Sequence, residues 1–225
     1  MAHILWRRLS LAGVEGEKGA TMTVSELLVP PSPVDWRLYD HECLMGWKTA
    51  AEVQALAEEE LVILAQRGDE QPTRGPRHAV KYLGLSKLPG LVPILTAELH
   101  ADRTKKVGLV FETRDVGMAL REQLKAFNPI LLFQGTPDAQ RAKRLTDFTT
   151  KGWCRVALVA SQAVGSLPIE RPCDIVFVEL PTDPWWAASL ASVPRPMRLV
   201  LLAGTVDEAL MRARWAATAA VMVSA

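Results

Sequence analysis

Cysteine is scarce: Cys43, Cys154 and Cys173 are the only three in 225 residues, and no C-x-x-C pair occurs. An odd, scattered set excludes a disulfide framework and a zinc site, and it fits a reducing compartment. An excess of charge of one sign is also missing. The 26 Lys+Arg against 25 Asp+Glu leave a net charge of +1, which excludes a strongly basic nucleic-acid coat but leaves room for a local basic patch. No apolar run reaches the roughly 18 residues that a membrane span requires. The opening M-A-H-I-L-W-R-R puts its arginines after its apolar residues, the reverse of a secretory leader. A soluble, cytoplasmic protein is the expectation. Neither G-x-x-x-x-G-K-[ST] nor G-x-G-x-x-G occurs, so self-contained nucleotide hydrolysis is not expected. His3, His41, His78 and His100 have no partner at metal-ligand spacing, and no nucleophile elbow is visible.

What is present is the composition of a globular chain: 49% apolar and 23% charged residues, enough to bury a core. Two parts read differently. Residues 1–76 hold a Gly/Glu/Lys-rich stretch from Gly13 to Gly19, a Pro-rich turn (Val29-Pro30-Pro31-Ser32-Pro33) and a helical pattern with Val53, Leu56, Leu61 and Leu64 in phase. Glu58, Glu59 and Glu60 read as the solvated face of that helix, and Arg67 to Pro72 as a surface loop. Residues 77–225 alternate short, nearly continuous apolar runs with helical stretches. The runs are Val107–Phe111, Ile130–Phe133, Arg155–Ala160, Asp174–Val178 and Arg198–Leu202, as expected of strands buried on both faces. Asp115–Phe127 carries Val116, Leu120, Leu124 and Phe127 at helical spacing. Thr136-Pro137 predicts a capped helix start with Leu145 and Phe148 inward, and Thr205 with Glu208 predicts a capping box. Strand–helix alternation of this kind predicts an α/β fold with a parallel, doubly wound sheet.

Such sheets bind ligands at the carboxyl ends of their strands. The loops there are Glu112-Thr113-Arg114, Gln134-Gly135-Thr136, Ser161 to Gly165 and Glu179-Leu180-Pro181. Asp207-Glu208-Ala209-Leu210 has the letters of an acidic box but follows a helix start, where acids favour the helix dipole. Cys154 reads as a buried thiol, and Trp185-Trp186 as core or interface packing, with base stacking as the alternative.

Taken in order, several segments resemble the C-terminal lobe of the Swi/Snf-type ATPases of helicase superfamily two, in particular the annealing-helicase-like branch. Ile4 to Leu9 resembles the double-arginine entry to that lobe, and Pro33 to Asp40 the Pro…Tyr entry to its helical insertion. Leu83 to Pro89 is similar to the Gly-x-x-Lys segment leading into the lobe's first helix. Lys106 to Phe111 resembles the strand of motif IV, and Gln134-Gly135-Thr136 with Arg141 and Phe148 resembles the turn and helix that follow. Ser161 to Gly165 stands where motif V belongs, and Asp174 to Leu180 and Gly204 to Glu208 complete the order. The resemblance implies a single RecA-like lobe over 77–225, preceded by a helical N-terminal segment over 1–76. It further implies duplex or branched DNA as a partner, contacted by Gly135, Thr136, Arg141, Ser161 and Gln162, with Arg114, Lys143, Arg144 and Lys151 as further basic candidates near the strand ends, and a nucleoid-associated location when DNA is bound.

The departures concern ATP. The first lobe, which carries the phosphate-binding Lys and the acidic box in this family, has no counterpart in these residues. Val164, Leu167 and Ile169 replace two glycines and the asparagine of motif V, and residues with a Cβ cannot approach a phosphate as glycine does. The motif VI interval keeps only Arg195, which stands either for its second arginine or for the Arg-Pro that follows. Gly165 and Arg195 are thus the degenerate nucleotide-binding candidates. ATP and Mg²⁺ would be bound only with a protein partner supplying the first lobe. Two functions follow: a lobe of a DNA-dependent ATPase that is not catalytic alone, or a DNA- or protein-binding module that uses the fold as a scaffold. In either case Val164, Leu167 and Ile169, with Pro181 to Trp186, are expected to form an exposed apolar face.

Overall fold

A computed structural model describes residues 5–9, 24–67, 77–166, 173–180 and 196–224. Seven strands form one sheet: β1 (Leu5–Leu9), β2 (Val24–Val29), β3 (Val107–Phe111), β4 (Ile130–Leu132), β5 (Val156–Ala160), β6 (Asp174–Phe177) and β7 (Met197–Leu202). The spatial order is β1-β2-β7-β6-β3-β5-β4. β1 runs antiparallel to β2, and the other six strands are mutually parallel. The described helices are α1 (Trp36–Tyr39), α2 (His41–Leu44), α3 (Ala50–Arg67), α4 (Arg77–Ala101), α5 (Arg114–Gln123), α6 (Asp138–Thr150) and α7 (Val206–Ser224).

β3, β4 and β5 are apolar throughout, and β6 and β7 are so except at Asp174 and Arg198, because both faces are covered. Leu109 and Phe111 of β3, Leu158 of β5, Val176 of β6 and Val200 of β7 face α3, α4 and α5. Their neighbours in sequence, Val110, Val159, Phe177 and Leu199, face the opposite way, towards Phe148 of α6 and Met211 and Trp215 of α7. This period of two, with helices on both sides, is the doubly wound α/β arrangement predicted from the alternation. The five predicted strands match β3 to β7 to within one residue at each end.

Several local expectations are modified. The N-terminal part contributes β1 and β2 to the same sheet, with β2 paired in register to β7 from Val24↔Met197 to Val29↔Leu202. The Gly84–Lys87 segment lies inside α4 instead of ahead of a helix; α4 runs for 25 residues with Pro89 and Pro93 within it. The predicted helix 115–127 divides into α5 and a 3₁₀ turn (Lys125–Phe127) that ends on Asn128 at φ 49°, a left-handed position that asparagine tolerates. Glu58 and Glu59 are solvated, but Glu60 accepts the His78 and Ala79 N–H groups at 2.6 and 2.8 Å and so caps α4 from a neighbouring helix. At α6 the cap position falls on Pro137, without a side-chain bond. The predicted capping box at α7 is displaced by one residue on each side: the Thr205 hydroxyl accepts from Asp207 N–H at 3.3 Å and Glu208 from Gly204 N–H at 3.1 Å, while Thr205 N–H bonds the Leu202 carbonyl.

Candidate nucleic-acid interface

The carboxyl ends of β4 and β5 lie side by side at one end of the sheet. The β4–α6 turn is internally locked. The Thr136 hydroxyl accepts the Phe133 N–H at 3.1 Å, and the Thr136 N–H donates to the Phe133 carbonyl at 3.0 Å. The Arg141 guanidinium reaches back from the first turn of α6 to donate to the Gln134 and Thr136 carbonyls, both at 3.1 Å. Thr136 is therefore buried and engaged in holding the turn, while Gln134 and Gly135 are exposed on it. A Cβ at Gly135 would meet no atom within 4 Å. Nothing among the described residues requires glycine there.

On the neighbouring strand, β5 runs straight into a 3₁₀ helix, Ser161–Ser166. Ser161 is buried, whereas Gln162 is exposed beside the β4–α6 turn. Arg114, the first residue of α5 at the end of β3, is also exposed. Gly135, Gln162 and Arg114 thus emerge from three adjacent strand ends, in the order β3-β5-β4.

The rest of the predicted basic set is distributed otherwise. Lys143 is exposed on α6. The Arg144 guanidinium donates to the Leu131 carbonyl and so covers the free edge of β4. Lys151 follows the last turn of α6, some 20 Å from the β4–α6 turn for a helix of 13 residues. It lies towards the opposite end of the sheet, where β3 and β5 begin. There the Lys106 ammonium donates to the carbonyls of Phe148, Lys151 and Cys154, satisfying orphan acceptors at the end of α6.

Val164 is fully buried in the core between the sheet and α6–α7, so it forms no part of an exposed apolar face. Gly165 sits within the 3₁₀ helix. Arg195, Leu167, Ile169 and 181–186, including Trp185 and Trp186, lie outside the described residues. Among the described residues no group of three His, Cys, Asp or Glu side chains could hold a metal ion. Cys154 is buried, and burial pushes its thiol pKa up, in keeping with an inert core residue.

Behind this edge runs a buried polar seam, to which the Gly-x-x-Lys segment contributes Gly84 and Lys87. Lys81, Gly84 and Lys87 recur every three residues along one side of α4. Lys81 bonds Asp40 at 2.5 Å and pairs with Asp115 of α5 at 2.8 Å. Gly84 lies against the Glu179 carboxylate, where a Cβ would come within 2.6 Å of Oε1. Lys87 donates to the Val178 carbonyl at 2.7 Å and pairs with Asp207 of α7 at 2.9 Å. Glu179 Oε2 in turn accepts the N–H groups of Glu112 and Thr113 at 2.7 and 2.9 Å. In the sequence the seam shows as two lysines and a glycine at helical spacing among Leu83, Leu85, Leu88 and Leu91.

No family model matches the chain, and no curated protein matches it by sequence. Solved structures of helicase-type domains do match. The C-terminal domain of the SWI2/SNF2 ATPase of Sulfolobus solfataricus is 14% identical over 85% of this chain and 84% of its own, with a TM-score of 0.48. The core of that ATPase, solved in complex with double-stranded DNA, is also 14% identical; the match covers 89% of this chain but 46% of the core, with a TM-score of 0.48. The Hef helicase domain of Pyrococcus furiosus is 16% identical over 70% of this chain, with a TM-score of 0.47. The chain spans under half the length of these last two structures. No described helix is long and apolar enough to cross a membrane.

Proposed function

We propose that this chain is a diverged C-terminal lobe of a Swi/Snf-like DNA-dependent ATPase, which contacts DNA through the ends of β3, β5 and β4 and acts with a first lobe carried by a partner. The observation that carries the reading is the β4–α6 turn. Thr136 and Arg141 hold it rigid, yet nothing among the described residues requires its exposed Gly135 to lack a side chain. A rigid turn bearing a bare backbone, next to the exposed Gln162 and Arg114, suits close approach of a sugar–phosphate backbone. Such contacts carry no sequence information, so binding is sequence-independent and weakens steeply with salt. Burial of Val164 where the family has glycine favours the second reading on one point, a scaffold that binds DNA without taking part in ATP turnover.

The test is a fluorescence-anisotropy titration of single-stranded, duplex and forked DNA at low and moderate salt, with wild type and Gly135→Phe. Salt-sensitive binding that Gly135→Phe weakens supports the reading. Absence of binding to all three DNAs overturns it. Recovery of ATP turnover on adding a first-lobe ATPase from the same host separates the catalytic form of the proposal from the scaffold form.

A further inference from the structure

The carboxylate of Glu179 serves the turn after β3. That turn, Glu112-Thr113-Arg114, leads the chain from the sheet into α5, and Glu179 approaches it from the end of β6, the adjacent strand. Oε2 takes both N–H groups of the turn, and the Thr113 hydroxyl lies 3.3 Å from each carboxylate oxygen. Gly84 of α4 lies against the carboxylate, where any side chain would displace it: a Cβ there would come within 2.6 Å of Oε1. One helical turn further, Lys87 fastens the Val178 carbonyl, which fixes the backbone that carries Glu179. Lys81 grips Asp115 at the start of α5, just past Arg114. Arg114 is thus an exposed cation on a turn fixed from two sides by buried side chains.

We propose that Glu179 is a positioning residue: its ionised carboxylate holds the β3–α5 turn so that Arg114 is presented to DNA beside Gln162 and Gly135, and its protonation loosens that presentation. This rests on the nucleic-acid reading above. Hydrogen bonds from N–H groups to a carboxylate are about twice as strong as those to a neutral acid, so gaining a proton weakens both bonds to the turn without breaking the fold. The charged groups facing Glu179 are Lys87 on α4, Glu112 on the turn itself, and Asp207 and Arg214 on α7; Lys87 is paired with Asp207 and Arg214 with Glu112. Burial outweighs the two backbone N–H bonds and the Lys87 charge, and pushes the carboxyl up to about 7. The described histidines are engaged elsewhere: His78 with Glu42 and Glu60, His41 against Trp47, and His100 against Phe127. Lysine and arginine contacts to phosphate are indifferent to pH between 6 and 8, so comparison with Glu179→Gln isolates the response of this carboxyl from that of the histidines.

The test has two readouts on the full chain between pH 6 and 8. The first is the amide NMR shifts of Glu112 and Thr113, and the second is the affinity for a duplex DNA probe at low salt. In wild type both amides should titrate together with a midpoint near 7. Affinity should rise roughly two- to five-fold across the range, the size of a charge-assisted bond weakened to a neutral one. Glu179→Gln should abolish both responses. Arg114→Ala, an exposed substitution that leaves the fold intact, should keep the amide titration and lose the pH dependence of binding. Amides that do not titrate in wild type, or DNA affinity that is present but flat with pH, overturn the role of Glu179. Titrating amides with no DNA binding at any pH overturn the nucleic-acid reading instead.

Discussion

The Glu26 carboxylate and the Arg212 guanidinium, 186 positions apart, meet in two parallel hydrogen bonds of 2.9 Å each. Glu26 is fully buried on β2, on the face covered by α7, and Arg212 also pairs with Glu208 one turn earlier on α7. Arg212→Ala should therefore destabilise the chain by about 2–3 kcal/mol, because a buried carboxylate loses its partner. The double variant Glu26→Leu with Arg212→Leu should recover most of that loss. Urea melts of the two variants, analysed as a double-mutant cycle, decide it; a single variant within error of wild type refutes the pairing.

Lys81 is held between two carboxylates, Asp40 and Asp115, with its side chain 2% exposed. Lys81→Met keeps the length of the side chain but leaves both acids unpaired, and should cost about 3–5 kcal/mol. Adding Asp40→Asn should restore part of it. Thermal unfolding followed by circular dichroism is sufficient, and additive losses in the double variant would contradict the bond.

Stability should fall as pH rises through the range set by Glu179. The unfolded side chain ionises near 4.5, and the buried one at about 7. Between those values the unfolded chain releases this proton first. The stability due to the neutral acid is complete below pH 4.5 and is lost towards pH 7, by about 3 kcal/mol. Asp40 and Glu98 behave oppositely. Burial would raise both carboxyls, but Lys81 with the backbone of Cys43 and Glu42 holds Asp40 down, and Arg198 with Lys105 holds Glu98 down. Their contribution is present above the ordinary carboxylate pKa and is lost as pH falls through the depressed folded values. In urea melts from pH 3 to 8, Glu179→Gln should gain on wild type from pH 5 to pH 7.5; a constant difference would be contrary to this account.

Two glycines should respond in opposite ways to a methyl group. A Cβ at Gly117 would lie 2.4 Å from the Phe111 ring, in the core between β3 and α5, so Gly117→Ala should lose about 1–3 kcal/mol. Gly135→Ala meets open space and should leave stability unchanged or raise it by about 0.4–1 kcal/mol. Calorimetric Tm values of the two variants provide the comparison.

The strands β3 to β7 could be read from the sequence because each is buried on both faces and so carries a continuous apolar signature. β2 could not, because Glu26 interrupts it and the arginine that makes this acceptable is at the other end of the chain. The break between α5 and the 3₁₀ turn at Leu124 was hidden for a different reason: Leu124 and Phe127 stay in phase with the helix although the backbone has changed. At the candidate interface, Gly135 and Gln162 were legible as loop residues at strand ends. The bonding of Thr136 and Arg141 to their own turn was not, since a hydroxyl and a guanidinium serve equally well inside a turn or against a ligand. Glu179 was legible as a strand-end loop residue, but its bonds were not, because its partners are backbone groups 66 and 67 residues away.

The seam on α4 also limits how this chain can change length. Lys81, Gly84 and Lys87 meet four acids, Asp40, Asp115, Glu179 and Asp207, from four separate parts of the chain, and they do so only because they share one side of a continuous helix. An α-helix turns through about 100° per residue. One residue inserted between Lys81 and Lys87 would swing part of the row away from its acids and bring a side chain against Glu179 where none fits. One residue deleted would do the same in the other sense. Loops of this chain can lengthen at little cost, since each doubling adds only about 0.6 kcal/mol of closure entropy, but this stretch of helix behaves as a fixed gauge, tolerant of exchange at its exposed positions and intolerant of any change in count.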